Sequence, residues 1–331
     1  MPAKSHSDRN FNFKRYREGL LSGDRVILGR ALTLAESDRT PDRAKAEKLV
    51  EEILPQTGKS IRIGITGAPG VGKSTFIEVF GKYITSLGTK IAVLTIDPSS
   101  QKSKGSILGD KTRMDELSKD PFAFIRPTAA RGALGGVATT TRESILLCEA
   151  AGYEVIIVET VGVGQSEVAV RGMVDFFLLL MLAGAGDELQ GIKKGIMEMA
   201  DSIVITKSEG DNVSKANQAQ AHIRHALYLF QTPESGWLPH VLTTSALAKT
   251  GIQETWQMIE LFRVHAAHNG FFEAQRKQQQ MAWFHAALEA LIKDKILNQS
   301  KGTIAAIEKQ ILGNRLSPNK AAREVLKKMK L

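Results

Sequence analysis

Nine consecutive residues carry the clearest chemistry in this chain: Gly67, Ala68, Pro69, Gly70, Val71, Gly72, Lys73, Ser74 and Thr75. They satisfy every fixed position of the phosphate-cradling pattern G-x-x-x-x-G-K-[ST]. Glycines let backbone N–H groups turn inward and approach phosphate oxygens closely. A helix beginning at the motif would add the positive end of its dipole. Lys73 suits the β- and γ-phosphates of a nucleotide, and the Ser74 hydroxyl suits Mg²⁺. The motif needs a strand before it and a helix after it, and the sequence supplies both. Ile61, Ile63 and Ile65 alternate with Arg62, Gly64 and Thr66, the period of a strand. Residues 75–87 read as a helix.

Further polar groups stand at the ends of other apolar runs, where an open α/β sheet places its ligands. Asp97 ends the run 91–96, and Glu159 ends the run 155–158 and precedes Thr160, Val161 and Gly162. Both are candidates to hold a metal-bound water or to orient an attacking one. Residues 184–190 follow the fourth run. Thr206, Lys207, Ser208 and Glu209 follow the fifth, where guanine-binding proteins carry Asn-Lys-x-Asp. Glu209 keeps the terminal charge on a longer arm, while Thr206 lacks the amide that would brace the loop and touch the purine. Ser245, Ala246 and Leu247 follow the sixth run and match a second guanine loop. Guanine is the expected base, with weaker or less selective binding as the alternative.

These groups require a sheet to position them. Strands are expected at 61–66, 90–96, 154–159, 175–182, 201–206 and 239–243. Helical stretches are expected at 75–87, 139–151, 191–200 and 212–230. Alternation of this kind implies a mostly parallel sheet covered by helices on both faces, the α/β architecture of a P-loop NTPase. Residues 1–12 are polar and expected to lack order, and 13–57 read as helices. After Gly251 the tail is helical, with Met281, Phe284, Leu288, Leu291 and Ile292 at three- and four-residue steps. The expected division is an N-terminal helical extension (1–59), a nucleotide-binding domain (60–252) and a C-terminal helical arm (253–331) that forms a dimer interface.

Charge and composition bound the function. The net charge of +9 is +3 over residues 1–60, zero over 61–250 and +6 over 251–331. The excess therefore avoids the phosphate motif, and its basic residues are mixed with acidic ones. Solvated helical faces or a protein interface fit this better than a nucleic-acid surface. The single cysteine, Cys148, excludes an internal disulfide. The longest apolar run, 176–186, is too short to span a bilayer. A cytoplasmic protein without membrane or nucleic-acid partners is expected. His222 with His225 and His265 with His268 could each share a helix face, but a metal-delivery role lacks a third ligand nearby.

Together these residues resemble the MeaB/ArgK family of P-loop GTPases, which includes the methylmalonic aciduria type A proteins. The resemblance rests on the runs 105–114, 134–138, 146–153, 158–167, 185–193 and 195–201. It is strong over residues 60–250. It implies a Mg²⁺-dependent GTPase that cycles between GTP and GDP. Such a protein chaperones an adenosylcobalamin-dependent acyl-CoA mutase, chiefly methylmalonyl-CoA mutase, gating cobalamin loading and protecting the enzyme. It further implies that Ser74, Asp97, Asp110 and Glu159 surround the metal. The loops at 97–113, 159–167 and 186–195 would be switches, with Arg113 and Lys193 rearranging when the mutase docks. The helical flanks would form a homodimer. This chain departs from the family at Thr206 and Glu209, and at Lys104, where a glycine is usual. The alternative is a P-loop kinase acting on a small molecule, in line with an older description of the family as amino-acid (LAO/AO) transport kinases.

Overall fold

The computed structural model describes residues 11–97, 114–129, 134–160, 166–183 and 194–328. Three helices come first: α1 (Phe13–Leu21), α2 (Arg25–Ala35) and α3 (Thr40–Ile53). Asn12, expected in the disordered leader, instead caps α1 by accepting from the Arg15 N–H at 3.0 Å. Asp24 caps α2 in the same way. The core then alternates: β1 (Ile61–Gly67), α4 (Lys73–Ser86), β2 (Ile91–Asp97), the short α5 (Asp115–Ser118), β3 (Ala123–Ala129), α6 (Leu134–Ala150), β4 (Val155–Thr160), α7 (Ser166–Arg171), β5 (Phe176–Leu182), α8 (Lys194–Met199), β6 (Ser202–Thr206), α9 (Asn212–Leu227) and β7 (His240–Thr243). Helices α10 (Ile252–His268), α11 (Phe271–Gln299), α12 (Lys301–Leu312) and α13 (Pro318–Lys328) follow.

The seven described strands form one sheet in the order β3-β2-β4-β1-β5-β6-β7, and every pairing among them is parallel. The sheet grows to one side of β1 up to β4 and to the other side from β5 onward. That reversal opens the crevice in which such sheets bind ligands. Register fixes what meets there. Ile65 pairs with Glu159, Gly67 with Leu180, and Leu182 with Thr206.

Apolar side chains secure this frame on both faces. Ile61, Ile63 and Ile65 join Phe76, Phe80, Phe176, Leu178 and Leu180 in one buried cluster, with Trp237 and Phe262 from the far side. Leu179 and Met181, pointing the other way along β5, join Ile203, Ile205 and Val241 in a second. Each such large side chain contributes about 1.5–3 kcal/mol on burial. Strand β3 was absent from the sequence reading because Arg126 and Pro127 interrupt its apolar pattern. Among the described residues it is an edge strand bonded to β2 alone, where a residue without an N–H is tolerated.

The amino ends of the strands are closed by ion pairs. Arg62 donates from Nε and Nη2 to the two carboxylate oxygens of Glu149 at 2.9 and 3.0 Å. The Ser60 hydroxyl and the Gly58 N–H complete the shell of Glu149 at 2.6 and 2.9 Å. Arg276 forks onto Asp175 at 2.8 and 2.7 Å, and Asp175 also accepts the Arg62 N–H. Arg171 forks onto Asp201 at 2.8 and 3.2 Å.

Contacts group Met1–Lys277 into one compact unit and Gln278–Leu331 into another. In the first, α2 and α3 pack on α6, and α10 packs on α4 and β7. In the second, α12 packs on α13, and Met281, Phe284, Leu288, Leu291 and Ile292 are exposed along the continuing α11. Among the described residues, no helix is long and apolar enough to cross a membrane.

Candidate nucleotide site

Strand β1 ends at Gly67, with φ 154°, against the carbonyl of Leu180. A Cβ there would lie 2.5 Å from that oxygen, so the chain can pass only as glycine. Gly72, at φ 95°, then turns the backbone into α4 in a left-handed conformation. No described side chain caps this helix start, so its first N–H groups face the crevice as an anion site.

Lys73 heads α4 and is 9% exposed. Its ammonium donates to the carbonyls of Gly67 at 2.7 Å and Ala68 at 3.2 Å. Burial lowers its pKa below the ordinary lysine value, opposed first by Glu159 and then by Glu167. A cation poised over its own loop, with carboxylates nearby, is what a triphosphate would engage. Beside it the Ser74 hydroxyl donates to Glu159 Oε1 at 3.2 Å. Glu159 is 8% exposed at the end of β4. Next to it the Thr160 hydroxyl donates to Thr66 Oγ1 at 2.8 Å, tying β4 to β1.

A hydroxyl and a carboxylate in contact are hard oxygen donors, and they fit Mg²⁺. Asp97 ends β2 beside β4, with Ile96 opposite Thr160; its side chain is outside the described residues, as are Asp110, Arg113 and Lys193. Among the described residues, no three His, Cys, Asp or Glu side chains gather as a metal site. His265 meets the Ser235 carbonyl at 3.0 Å.

The base side is a pocket of about 210 Å³, lined by Val71, Gly72, Thr75, Phe76, Thr206, Lys207, Glu209, Thr244, Ala246 and Leu247. Lys207, itself left-handed at φ 57°, donates to the Gly70 carbonyl at 3.0 Å. Thr206 lacks the amide usual at this position, yet its hydroxyl reaches the loop, donating to the Val71 carbonyl at 2.7 Å, with the Met181 carbonyl at 3.2 Å. Both acceptors are backbone groups, so a short hydroxyl placed by β6 reaches what an amide would. Glu209 Oε2 is shielded from solvent without a hydrogen-bond partner among the described residues. Ser245 is buried and closes its own turn, accepting from the Ala248 N–H at 2.9 Å and bridging to Thr250. Pro69 and Gly70 lie exposed at the rim.

Sequence reasoning gave no separate role to Glu167, Thr244 or Phe76. Glu167 is 2% exposed and acts on Lys73; its position inside the run 158–167 was the available signal. Thr244 and Phe76 are core-like residues with no motif to mark them.

A family model described as "Methylmalonyl Co-A mutase-associated GTPase MeaB" matches residues 28–302. The chain is 43% identical over 328 residues to a probable GTPase of Mycobacterium tuberculosis, covering 98% of this chain and 97% of that one. It is 44% identical to the GTPase ArgK of Escherichia coli, covering 92% and 93%. It is also 44% identical to the mitochondrial methylmalonic aciduria type A homolog of Mus musculus, covering 98% and 81%. Among solved structures, an LAO/AO transport system kinase superposes with a TM-score of 0.76 at 35% identity, covering 100% of both chains.

Proposed function

Because the chain belongs to the MeaB family of methylmalonyl-CoA mutase-associated GTPases and is itself a GTPase, we propose that it spends GTP to gate and protect adenosylcobalamin loading of an acyl-CoA mutase, methylmalonyl-CoA mutase first. The observation that carries this reading is a complete phosphate cradle inside a family match running from residue 28 to 302. The description of the family as mutase-associated supports the choice of client.

In the proposed cycle, Lys73 leaves the carbonyls of Gly67 and Ala68 for the β- and γ-phosphates. The N–H groups at the start of α4 hold the same phosphates. Ser74, with Glu159, Asp97 and Asp110, would hold Mg²⁺, which neutralises charge on the phosphates when bound. Glu159 would also orient the attacking water, a role its contact with Ser74 supports. Loss of the γ-phosphate would release the loops at 97–113, 159–167 and 186–195, and a partner that prefers one loop arrangement is biased by the nucleotide. Arg113 and Lys193 are the proposed basic residues that rearrange on docking. The exposed apolar row on α11 is proposed to meet a second copy in a homodimer. The proposed setting is the cytoplasm, with no nucleic acid or membrane as partner.

The test is GTP turnover with and without purified mutase, together with co-elution. The expected result is a complex in the GTP state and faster hydrolysis in its presence. Absence of both would overturn the client assignment. Light scattering should give a particle of twice 36.1 kDa, and a monomer at micromolar concentration would remove the dimer. Labelled γ-phosphate should appear only as inorganic phosphate; transfer to an organic acceptor would restore the kinase alternative.

A further inference from the structure

We propose that the face of α12 and α13 carrying Lys309, Arg315, Lys320, Arg323 and Lys327 docks a carboxylate-rich surface of a partner protein. The identity of that partner, an acyl-CoA mutase, rests on the reading above; the charge it must offer does not.

The positive charge of the tail is concentrated at its end. Residues 251–300 hold five basic and five acidic residues, whereas residues 301–331 hold eight basic and two acidic ones, a net +6. Two-thirds of the excess of +9 thus lies in the last 31 residues. Nearer the sheet, Arg62, Arg171 and Arg276 each fork onto a carboxylate. Here Lys309, Arg315, Lys320, Arg323 and Lys327 are exposed, and none forms an ion pair among the described residues.

The helices set these cations out in a pattern. Lys320, Arg323 and Lys327 follow three- and four-residue steps and share one side of α13. Buried Ala321 and half-buried Val325 turn the other way. The turn between the helices, which carries Arg315, is closed by the Arg315 N–H donating to the Gln310 carbonyl at 2.8 Å. A helix dipole rewards a cation in the last turn, where Lys309 stands. Lys320 stands instead in the first turn of α13, where no acidic residue offsets it.

The chain itself offers no matching surface of opposite charge. It carries +3 over residues 1–60 and zero over 61–300, so a second copy would set this face against neutral or like-charged segments. Residues 301–331 contain no aromatic residue on which a base could stack. The apolar side of α13 is turned inward rather than offered to a membrane. Leu312 and Leu326, 85% and 46% exposed, belong to the same two helices as the cations. Exposed apolar groups with a charged rim fit a protein interface.

Association of the full chain, loaded with GTP, with purified methylmalonyl-CoA mutase tests this by interferometry. For the unaltered chain, association should slow about tenfold between about 50 and 500 mM salt, because screening shortens the reach of surface charge. Combining Lys320→Glu, Arg323→Glu and Lys327→Glu should slow it about tenfold at the lower salt, with the gap closing at the higher. The same three positions changed to Gln should fall between. GTP turnover without the mutase should be unchanged in both variants. Lys14→Glu, Arg30→Glu and Arg43→Glu together, on α1 to α3, should leave association as in the parent. Salt-independent association of the unaltered chain would overturn the proposal whatever the folding of the variants, and so would an α13 glutamate variant that associates like the parent. If the unaltered chain does not bind the mutase, the client reading fails and poly-L-glutamate becomes the probe. Retention of the unaltered chain but not of the glutamate variant then upholds the surface, and equal retention overturns it. Retention on duplex DNA or phosphatidylserine vesicles but not on poly-L-glutamate would overturn it too.

Discussion

At the amino ends of β1 and β5, Arg62, Glu149, Asp175 and Arg276 close on one another through two-pronged pairs. At the carboxyl ends of the same strands, Lys73 rests on the carbonyls of its own loop and Glu209 keeps an oxygen without a described partner. Both regions bury charge, but only the first satisfies it internally. A buried pair that is fully hydrogen-bonded is a fixed structural joint, and breaking one member leaves the other desolvated. Buried charges held by weak stand-ins cost stability and await a ligand that pairs with them better. The same sheet therefore carries an end that holds the fold and an end that holds the substrate.

Substitutions should separate the two. The largest effect expected is at the amino end: Glu149→Ala strands the Arg62 guanidinium and should cost about 3–5 kcal/mol in denaturant unfolding. Turnover per folded molecule should stay unchanged; a variant that unfolds normally but hydrolyses poorly would break the comparison. The converse is Lys73→Ala, which should lower hydrolysis at least ~100-fold, as for loss of a donor to developing charge. Its melting temperature should stay near that of the parent, and a collapse in stability would show that the cation is a structural group. Gly67→Ala should fail in both ways. The new Cβ meets the Leu180 carbonyl at 2.5 Å, and strain of this kind costs about 1–3 kcal/mol. Melting and nucleotide titration should worsen together, and a change in only one would separate the strand end from the loop.

The smallest effect lies in the pH dependence of the amino end. Burial raises the Glu149 pKa, but the Arg62 bonds, its charge, Ser60 and the Gly58 N–H more than reverse this, leaving it below the ordinary 4.5. Its stabilisation is present above 4.5 and is lost as pH falls through the lower folded value. Asp201 has the opposite sign. Burial raises it to about 6 despite Arg171, so its contribution is complete below 3.8 and disappears as pH climbs through 6. Stability should therefore rise slightly from pH 7 to 5 and fall below 4.5. Asp201→Asn should abolish the rise and Glu149→Gln should flatten the acid fall, both measured by thermal melts. A monotonic profile in the parent would contradict the assigned signs.

The carboxyl end was far more legible in the sequence than the amino end. Phosphate binding imposes fixed residue types at fixed spacing, so Gly67, Gly72, Lys73 and Ser74 announce themselves. Glu159 could be found because it ends an apolar run. Glu149, Asp175 and Arg276 gave no such signal, since their partners lie 87, 113 and 101 residues away and no motif links them. Strand β3 was illegible for a different reason: edge position relaxes the demand for unbroken apolar residues, and Pro127 removed the usual cue. The reach of the Thr206 hydroxyl to the Val71 carbonyl could not be read from residue type alone.

Local pattern thus determined the order of six of the seven described strands and of the longer helices between them, the phosphate loop and its helix, and the family. Those features depend on period-two burial and on backbone turns, which are encoded within a dozen residues. Tertiary structure alone decided that the Thr206 hydroxyl reaches Val71, that Glu209 lines the pocket beside the phosphate loop, and that Arg62 belongs to Glu149. Distance and burial set the strength of a charge or a hydrogen bond, and both arise only when remote segments are packed against each other.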